Sequence, residues 1–75
     1  MKNQEEHESR LVELGMLMKN WRLSEGMTRD ELHALSGVHK NSIRRAEAGE
    51  NITLQSLMRI ADGLGADIKD LFVEN

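Results

Sequence analysis

Apolar residues recur along this chain at the three- and four-residue spacings of amphipathic α-helices, and the pattern divides it into five helical segments. The first helix is predicted from about residue 8 to 24. Two short helices follow within residues 28–49. A fourth begins after Thr53 and a short fifth follows Asp67, both within residues 53–72. The pattern therefore predicts an all-α, compact five-helix domain.

The two central helices have clear start and stop signals. Thr28, followed three residues later by Glu31, is the pattern of a capping box, in which each residue satisfies a backbone N–H of the other. Leu32 and Leu35 give the first of these helices an apolar stripe. Gly37 ends it, because glycine adopts the left-handed backbone of a tight turn without steric cost.

The second central helix is predicted to expose a basic face. Val38, Ile43 and Ala46 form its buried side, and no acidic residue occurs between positions 38 and 46, although the net charge of the chain is -3. The outward positions are Lys40, Asn41, Arg44 and Arg45. Taken alone, such a run is most simply a solvated helix face. Joined to a short helix through a glycine turn, it has the layout of a helix-turn-helix unit that reads DNA.

Composition limits the remaining possibilities. The 75 residues make one domain, in which residues 1–8 form a polar, disordered segment and residues 9–75 the helical domain. The absence of cysteine excludes thiolate metal sites and disulfides, and one Phe with no Tyr disfavours a β-sheet. No apolar run approaches the roughly 18 residues of a membrane span, and the acidic start does not resemble a signal peptide. We therefore expect a cytoplasmic protein.

Acidic residues are concentrated away from the central helices. Residues 29–49 carry four basic and three acidic side chains, whereas residues 50–75 carry two basic and five acidic ones. The net charge of -3 speaks against a uniformly basic nucleic-acid-binding domain. This distribution nevertheless leaves one face positive for contact with phosphate.

A set of caps, glycines and apolar positions runs through most of the chain. Together with two polar residues, Lys19 and Asn51, it consists of Leu14-Gly15, Trp21-Arg22, Glu25-Gly26-Met27-Thr28, Glu31-Leu32, Ser36-Gly37-Val38, Ser42-Ile43, Glu47, Gly49, Thr53-Leu54, Leu57, Ile60-Ala61, Leu64-Gly65 and Asp70-Leu71. Over roughly residues 14–72 this set resembles the Cro/C1-type helix-turn-helix family of phage and bacterial transcription regulators. The resemblance implies a lambda-repressor-like fold and a stand-alone regulator, such as a phage repressor, a restriction-modification controller or a regulator on a mobile element.

The resemblance also implies DNA contacts for eight side chains. Those expected to read base edges are Lys40, Asn41, Arg44 and Arg45. Those expected to hold backbone phosphates are Lys19, Arg29, His39 and Ser42. Arg29 stands where the family usually has Gln, so its longer side chain is expected to change the geometry near the bases.

Four other positions concern how the helices pack on one another or bind DNA. The resemblance implies that Arg22 and Glu47 form a partly buried ion pair between the first and third helices. His33 departs from the Ala that the family prefers, so we expect either splayed helices or an imidazole at their edge. Glu50 replaces a frequent basic residue and removes one expected phosphate contact.

Specific DNA binding further predicts a homodimer on a palindromic operator, because one recognition helix covers only a few base pairs. The C-terminal end of the chain holds more apolar residues than so small a core needs. We expect the dimer contact there, at Leu64, Ile68, Leu71, Phe72 and Val73.

Other classes of function find less support. His7, His33 and His39 lack carboxylate or thiolate partners at ligand spacing, so no metal is expected. The chain has no catalytic triad, paired carboxylates or phosphate-binding loop, so we expect no enzyme, cofactor or small-molecule ligand. One alternative is a protein-interaction module, antitoxin-like or anti-repressor, which the net charge of -3 supports. A structural DNA binder without sequence preference is disfavoured, because such proteins are strongly basic.

Overall fold

Four α-helices and one turn of 3₁₀ helix follow one another in the computed structural model, which describes the backbone of residues 4–72 and the side chains of residues 7–72. They are α1 (Gln4–Ser24), α2 (Arg29–Ser36), α3 (Lys40–Glu47), α4 (Leu54–Leu64) and the 3₁₀ helix η1 (Ile68–Leu71). The described residues contain no strand, so the predicted all-α fold is confirmed, with a 3₁₀ turn as its fifth helix. No helix within residues 4–72 is long and apolar enough to cross a membrane.

Helix α1 starts earlier than the sequence predicts. It begins at Gln4, inside the segment of residues 1–8 that we expected to be disordered, whereas the prediction placed its start near residue 8. Residues 1–3 lie outside the described part of the chain.

The structure contains the predicted cap at the start of α2 and the predicted glycine turn at its end. Thr28 Oγ1 accepts from the backbone N–H of Glu31 at 3.1 Å, and the Glu31 carboxylate accepts from the N–H of Thr28 at 3.0 Å, which completes the capping box. Gly37 follows α2 with φ of 75°, the left-handed conformation that lets the chain turn toward α3. These local bonds set where the two central helices begin and end.

The core lies between α2 and α4 and where α3 packs against α1 and α2. Its buried apolar residues are Met18, Leu32, Val38, Ile43, Ala46, Leu57, Ile60, Ala61, Leu64 and Leu71. Val38, Ile43 and Ala46 anchor α3 from beneath, as predicted. Leu35 is 63% exposed, contrary to the predicted apolar stripe, because the buried face of the short helix α2 is narrower than its sequence pattern. Leu54, the first residue of α4, is exposed to the same extent.

Burial corrects the predicted dimer contact at the C-terminal end. Leu64 and Leu71 are 4% and 2% exposed, so they fill this chain's own core and cannot present a surface to a partner copy. Ile68 is half-buried against that core, and Phe72 is 57% exposed. Val73 lies outside the described residues.

Helices α1 and α3 touch through their backbones at Gly15. A Cβ atom built on Gly15 would lie 2.5 Å from the carbonyl oxygen of Ala46 and 2.8 Å from that of Glu47. Both distances are far inside van der Waals contact, and both neighbours are backbone atoms that cannot rotate away. Only glycine therefore allows α1 to approach the end of α3 this closely.

We expect Gly15→Ala to lower the free energy of unfolding by about 1–3 kcal/mol, because the added methyl group overlaps the α3 carbonyls. Helix propensity alone would change stability in the opposite direction by about 1 kcal/mol. Urea denaturation of the variant measures the difference. Met16→Ala, at a neighbouring side chain that is 56% exposed, serves as the control. A Gly15→Ala protein at least as stable as the wild type would contradict the close backbone contact.

Candidate nucleic-acid interface

Helix α3 is packed against the core on one side and presents a polar face on the other. Val38, Ile43 and Ala46 are 6%, 1% and 2% exposed and hold the helix to the core. The four side chains expected to read bases, Lys40, Asn41, Arg44 and Arg45, are all exposed. Ser42 is half-buried at the edge of this face. The helix is therefore fixed from one side and open to a ligand from the other.

His39 caps the start of α3 through its ring. Its Nδ1 atom accepts a hydrogen bond from the backbone N–H of Asn41 at 3.1 Å. A neutral imidazole that accepts at Nδ1 carries its hydrogen on Nε2, so Nε2 is the atom left to donate to a phosphate. The ring of His33 stands edge-on to that of His39, with ring centroids 5.3 Å apart. His33 is exposed, so its imidazole lies at the edge of the helix pair rather than between the helices.

A buried carboxylate ties α3 to the two preceding helices. Glu47 accepts from Arg22 at both carboxylate oxygens, from Nε at 2.7 Å and from Nη2 at 3.1 Å, and these two side chains are only 3% and 6% exposed. Arg22 also donates to the carbonyl oxygen of Met27 at 2.7 Å. Arg22 and Glu47, the two residues that the family resemblance pairs, thus form a buried, bidentate ion pair.

Arg29 joins this pair from the start of α2. Its Nε donates to Glu47 at 3.0 Å, while 38% of its side chain stays exposed. The sequence predicts that Arg29 contacts phosphate and gives no sign of this second partner. The observed geometry directs Nε inward, so a phosphate contact would fall to the terminal nitrogens of the guanidinium.

Asp30, which the sequence analysis did not single out, lies beside a predicted base-reading residue. Its Oδ1 atom is 3.4 Å from Nζ of Lys40, and the two side chains are 76% and 55% exposed. The sequence offers one signal, since an acidic residue in the first turn of a helix is favoured by the helix dipole. That signal points to helix stability and does not reveal the contact with α3.

The exposed polar side chains of α2 and α3 surround one open cleft with a volume of about 620 Å³. Its walls include Arg29 and Asp30 from α2 and Lys40, Asn41 and Arg44 from α3. Leu23 near the end of α1 and Met27 in the connection to α2 add apolar surface. The other predicted DNA-contacting residues, Lys19, His39, Ser42 and Arg45, do not line this cleft. Among the described residues, no three His, Asp or Glu side chains converge as a metal site would require.

The fold and this surface define a class of protein. The chain belongs to the helix-turn-helix family, whose model matches residues 18–71, and within it to the Cro/C1-type DNA-binding transcription regulators. Members of this family are regulators rather than enzymes. No curated protein matches the sequence.

Solved structures of two regulators are similar to this chain. The restriction-modification controller protein C.AhdI from Aeromonas hydrophila is 26% identical with a TM-score of 0.81, and the match covers 85% of this chain and 98% of that one. The wild-type restriction-modification controller protein C.Esp1396I is 28% identical with a TM-score of 0.74, and the match covers 83% and 82% of the two chains.

We expect Glu47→Gln to lower the free energy of unfolding by about 3–5 kcal/mol, because it leaves the buried Arg22 without a countercharge. Arg29→Gln, at the exposed side of the same cluster, should cost less than about 1 kcal/mol. Urea denaturation ranks the variants, with Glu50→Gln as a control at an exposed acidic residue. If Glu47→Gln were as stable as Glu50→Gln, the buried pair would not hold the helices together.

Proposed function

We propose that the protein is a sequence-specific transcriptional regulator that binds double-stranded DNA as a homodimer on a palindromic operator. The observation that carries this proposal is the face of α3, where Lys40, Asn41, Arg44 and Arg45 stand exposed together on a helix anchored from beneath. A helix of this kind fits the major groove, which is about 12 Å wide. The family membership supports the DNA partner.

Base reading in this proposal follows from side-chain chemistry. Lys40, Arg44 and Arg45 suit the O6 and N7 acceptors of guanine, and Asn41 suits the N6 donor and N7 acceptor of adenine. Each good bidentate pair discriminates against the wrong base by about 1–3 kcal/mol. The first turn of α3 carries two of these residues, which is the part of a recognition helix that penetrates the groove.

Phosphate binding is assigned to side chains at the rim of this face. Arg29 would contact phosphate through its terminal nitrogens and His39 through Nε2, with Lys19 and Ser42 completing the set. With a net charge of -3, the chain attracts DNA weakly over long range, so short contacts have to supply more of the affinity.

A second copy is needed because one helix reads too few base pairs to specify an operator. We assign the dimer contact to Ile68 and Phe72, which remain available after Leu64 and Leu71 are placed in the core. Two such subunits would present their recognition helices to half-sites about 34 Å apart.

Similarity to two restriction-modification controllers favours control of restriction-modification genes. The protein would act in the bacterial cytoplasm, the compartment that holds the DNA.

Selection of bound duplexes from a random pool tests the central proposal. Recovery of a palindrome with one helical turn between half-site centres supports it. A pool without enriched sequence, together with capture of a protein partner, would instead favour the antitoxin-like or anti-repressor alternative.

We expect Lys40→Ala and Asn41→Ala to relax base preference at separate operator positions, with losses of about 1–3 kcal/mol on the recovered operator. Binding titrations on the operator and on single-base variants of it measure the change. Arg59→Ala is the matched control, because it removes an exposed positive charge on α4 that does not line the cleft. Equal losses on every duplex would contradict a base-reading role.

We expect Phe72→Ser to shift the protein toward monomer, because it removes an exposed ring from the proposed contact. Sedimentation velocity over a range of concentrations measures the shift. Met16→Ser is the control, since Met16 on α1 is exposed to nearly the same extent, 56% against 57%. A dimer equally sensitive to both substitutions, or to neither, would move the contact elsewhere.

A further inference from the structure

Asp30 is the one acidic side chain among the described residues that line the cleft, where its neighbours include Arg29, Lys40 and Arg44. A carboxylate in this position repels backbone phosphate. The cap of α2 does not need it, because Thr28 and Glu31 already form a complete capping box. Its Oδ1 atom instead lies 3.4 Å from Nζ of Lys40, on the neighbouring helix.

We infer that Asp30 is a specificity-determining residue, which holds the Lys40 ammonium for base reading and lowers the affinity for DNA of arbitrary sequence. The inference rests on the proposed function and deepens it. It concerns the ratio of operator binding to random binding, and not the fold.

The two modes of DNA binding make different demands on Lys40. Its ammonium group has three N–H donors, so a contact with Asp30 leaves two for the O6 and N7 acceptors of a guanine. Sequence-independent binding uses the same ammonium as a counterion to phosphate, and its strength follows the number of phosphates neutralised. A carboxylate 3.4 Å away competes with phosphate for that ammonium group. Asp30 therefore lowers the affinity for random DNA by the contribution of about one phosphate contact, and it leaves the base contact of Lys40 intact.

Because both side chains are exposed, the contact between Asp30 and Lys40 can discriminate between two kinds of DNA without affecting the fold. Asp30 and Lys40 are 76% and 55% exposed, so their pair adds little to stability and can rearrange without disturbing the core. Arg29 contributes a positive charge of its own to the cleft, but its Nε is bound to Glu47. Among the described cations of the cleft, Lys40 is the one in ion-pair contact with Asp30, so its charge is the one that Asp30 can withhold from phosphate.

A double-mutant cycle tests the inference, using the wild type, Asp30→Asn, Lys40→Met and the double variant. Each protein is titrated with the operator recovered by selection and with a random duplex of equal length, at several salt concentrations. Asp30→Asn should raise affinity for the random duplex about fivefold near 0.1 M salt and affinity for the operator less than about twofold. It should also steepen the salt dependence of random binding by about one unit in the log–log slope.

Two controls test whether the change in specificity ratio is caused by the contact between Asp30 and Lys40. One is the Lys40→Met background, and the other is removal of an acidic charge elsewhere on the surface. Without Lys40, Asp30→Asn should raise both affinities equally, so that the specificity ratio no longer changes. Asp62→Asn removes the same charge from an exposed position on α4 and should leave the ratio unchanged in every background. Equal effects of Asp30→Asn on both duplexes with Lys40 present, or a change in ratio that persists without Lys40, would overturn the inference. A wild type that does not prefer the operator would instead overturn the proposed function.

Discussion

The carboxylate of Glu47 is the interaction on which the position of the recognition helix depends. It lies at the last residue of α3 and accepts from Arg22 on α1 and from Arg29 at the start of α2. A buried charge is costly unless its partners stay in place, so the three helices have to keep one relative arrangement. Together with the apolar anchors of α3, it keeps the polar face of that helix turned outward. One acidic side chain, bound by two arginines, thus aligns three helices.

The parts of the structure that the sequence predicts well are those determined by nearby residues. A capping box, a left-handed glycine and the inward trio of Val38, Ile43 and Ala46 depend on contacts within a few positions, so their pattern is visible in the chain itself. The family resemblance added the partners Arg22 and Glu47, which are 25 residues apart and which periodicity alone does not join.

The parts that the sequence missed are set by how helices pack across the chain. An apolar pattern cannot say where a helix's buried face ends. Leu35, which the pattern places inside, is 63% exposed, and Leu71, which we expected at an outer contact, is 2% exposed. The second partner of Arg29 and the neighbour of Asp30 depend on how closely α2 approaches α3. Two-turn helices make this uncertainty large, because each has few residues to define its orientation.

The direct backbone contact at Gly15 has a consequence for how this protein can change its target. At Gly15, no side chain separates α1 from the backbone at the end of α3. The angle of α3 therefore cannot be changed by substituting side chains between these two helices. If α3 reads bases as proposed, new operator preferences are therefore accessible mainly through replacement of outward side chains on a helix of constant orientation. Those positions are exposed and contribute little to the core, so evolution or a designer can diversify recognition while folding stays intact.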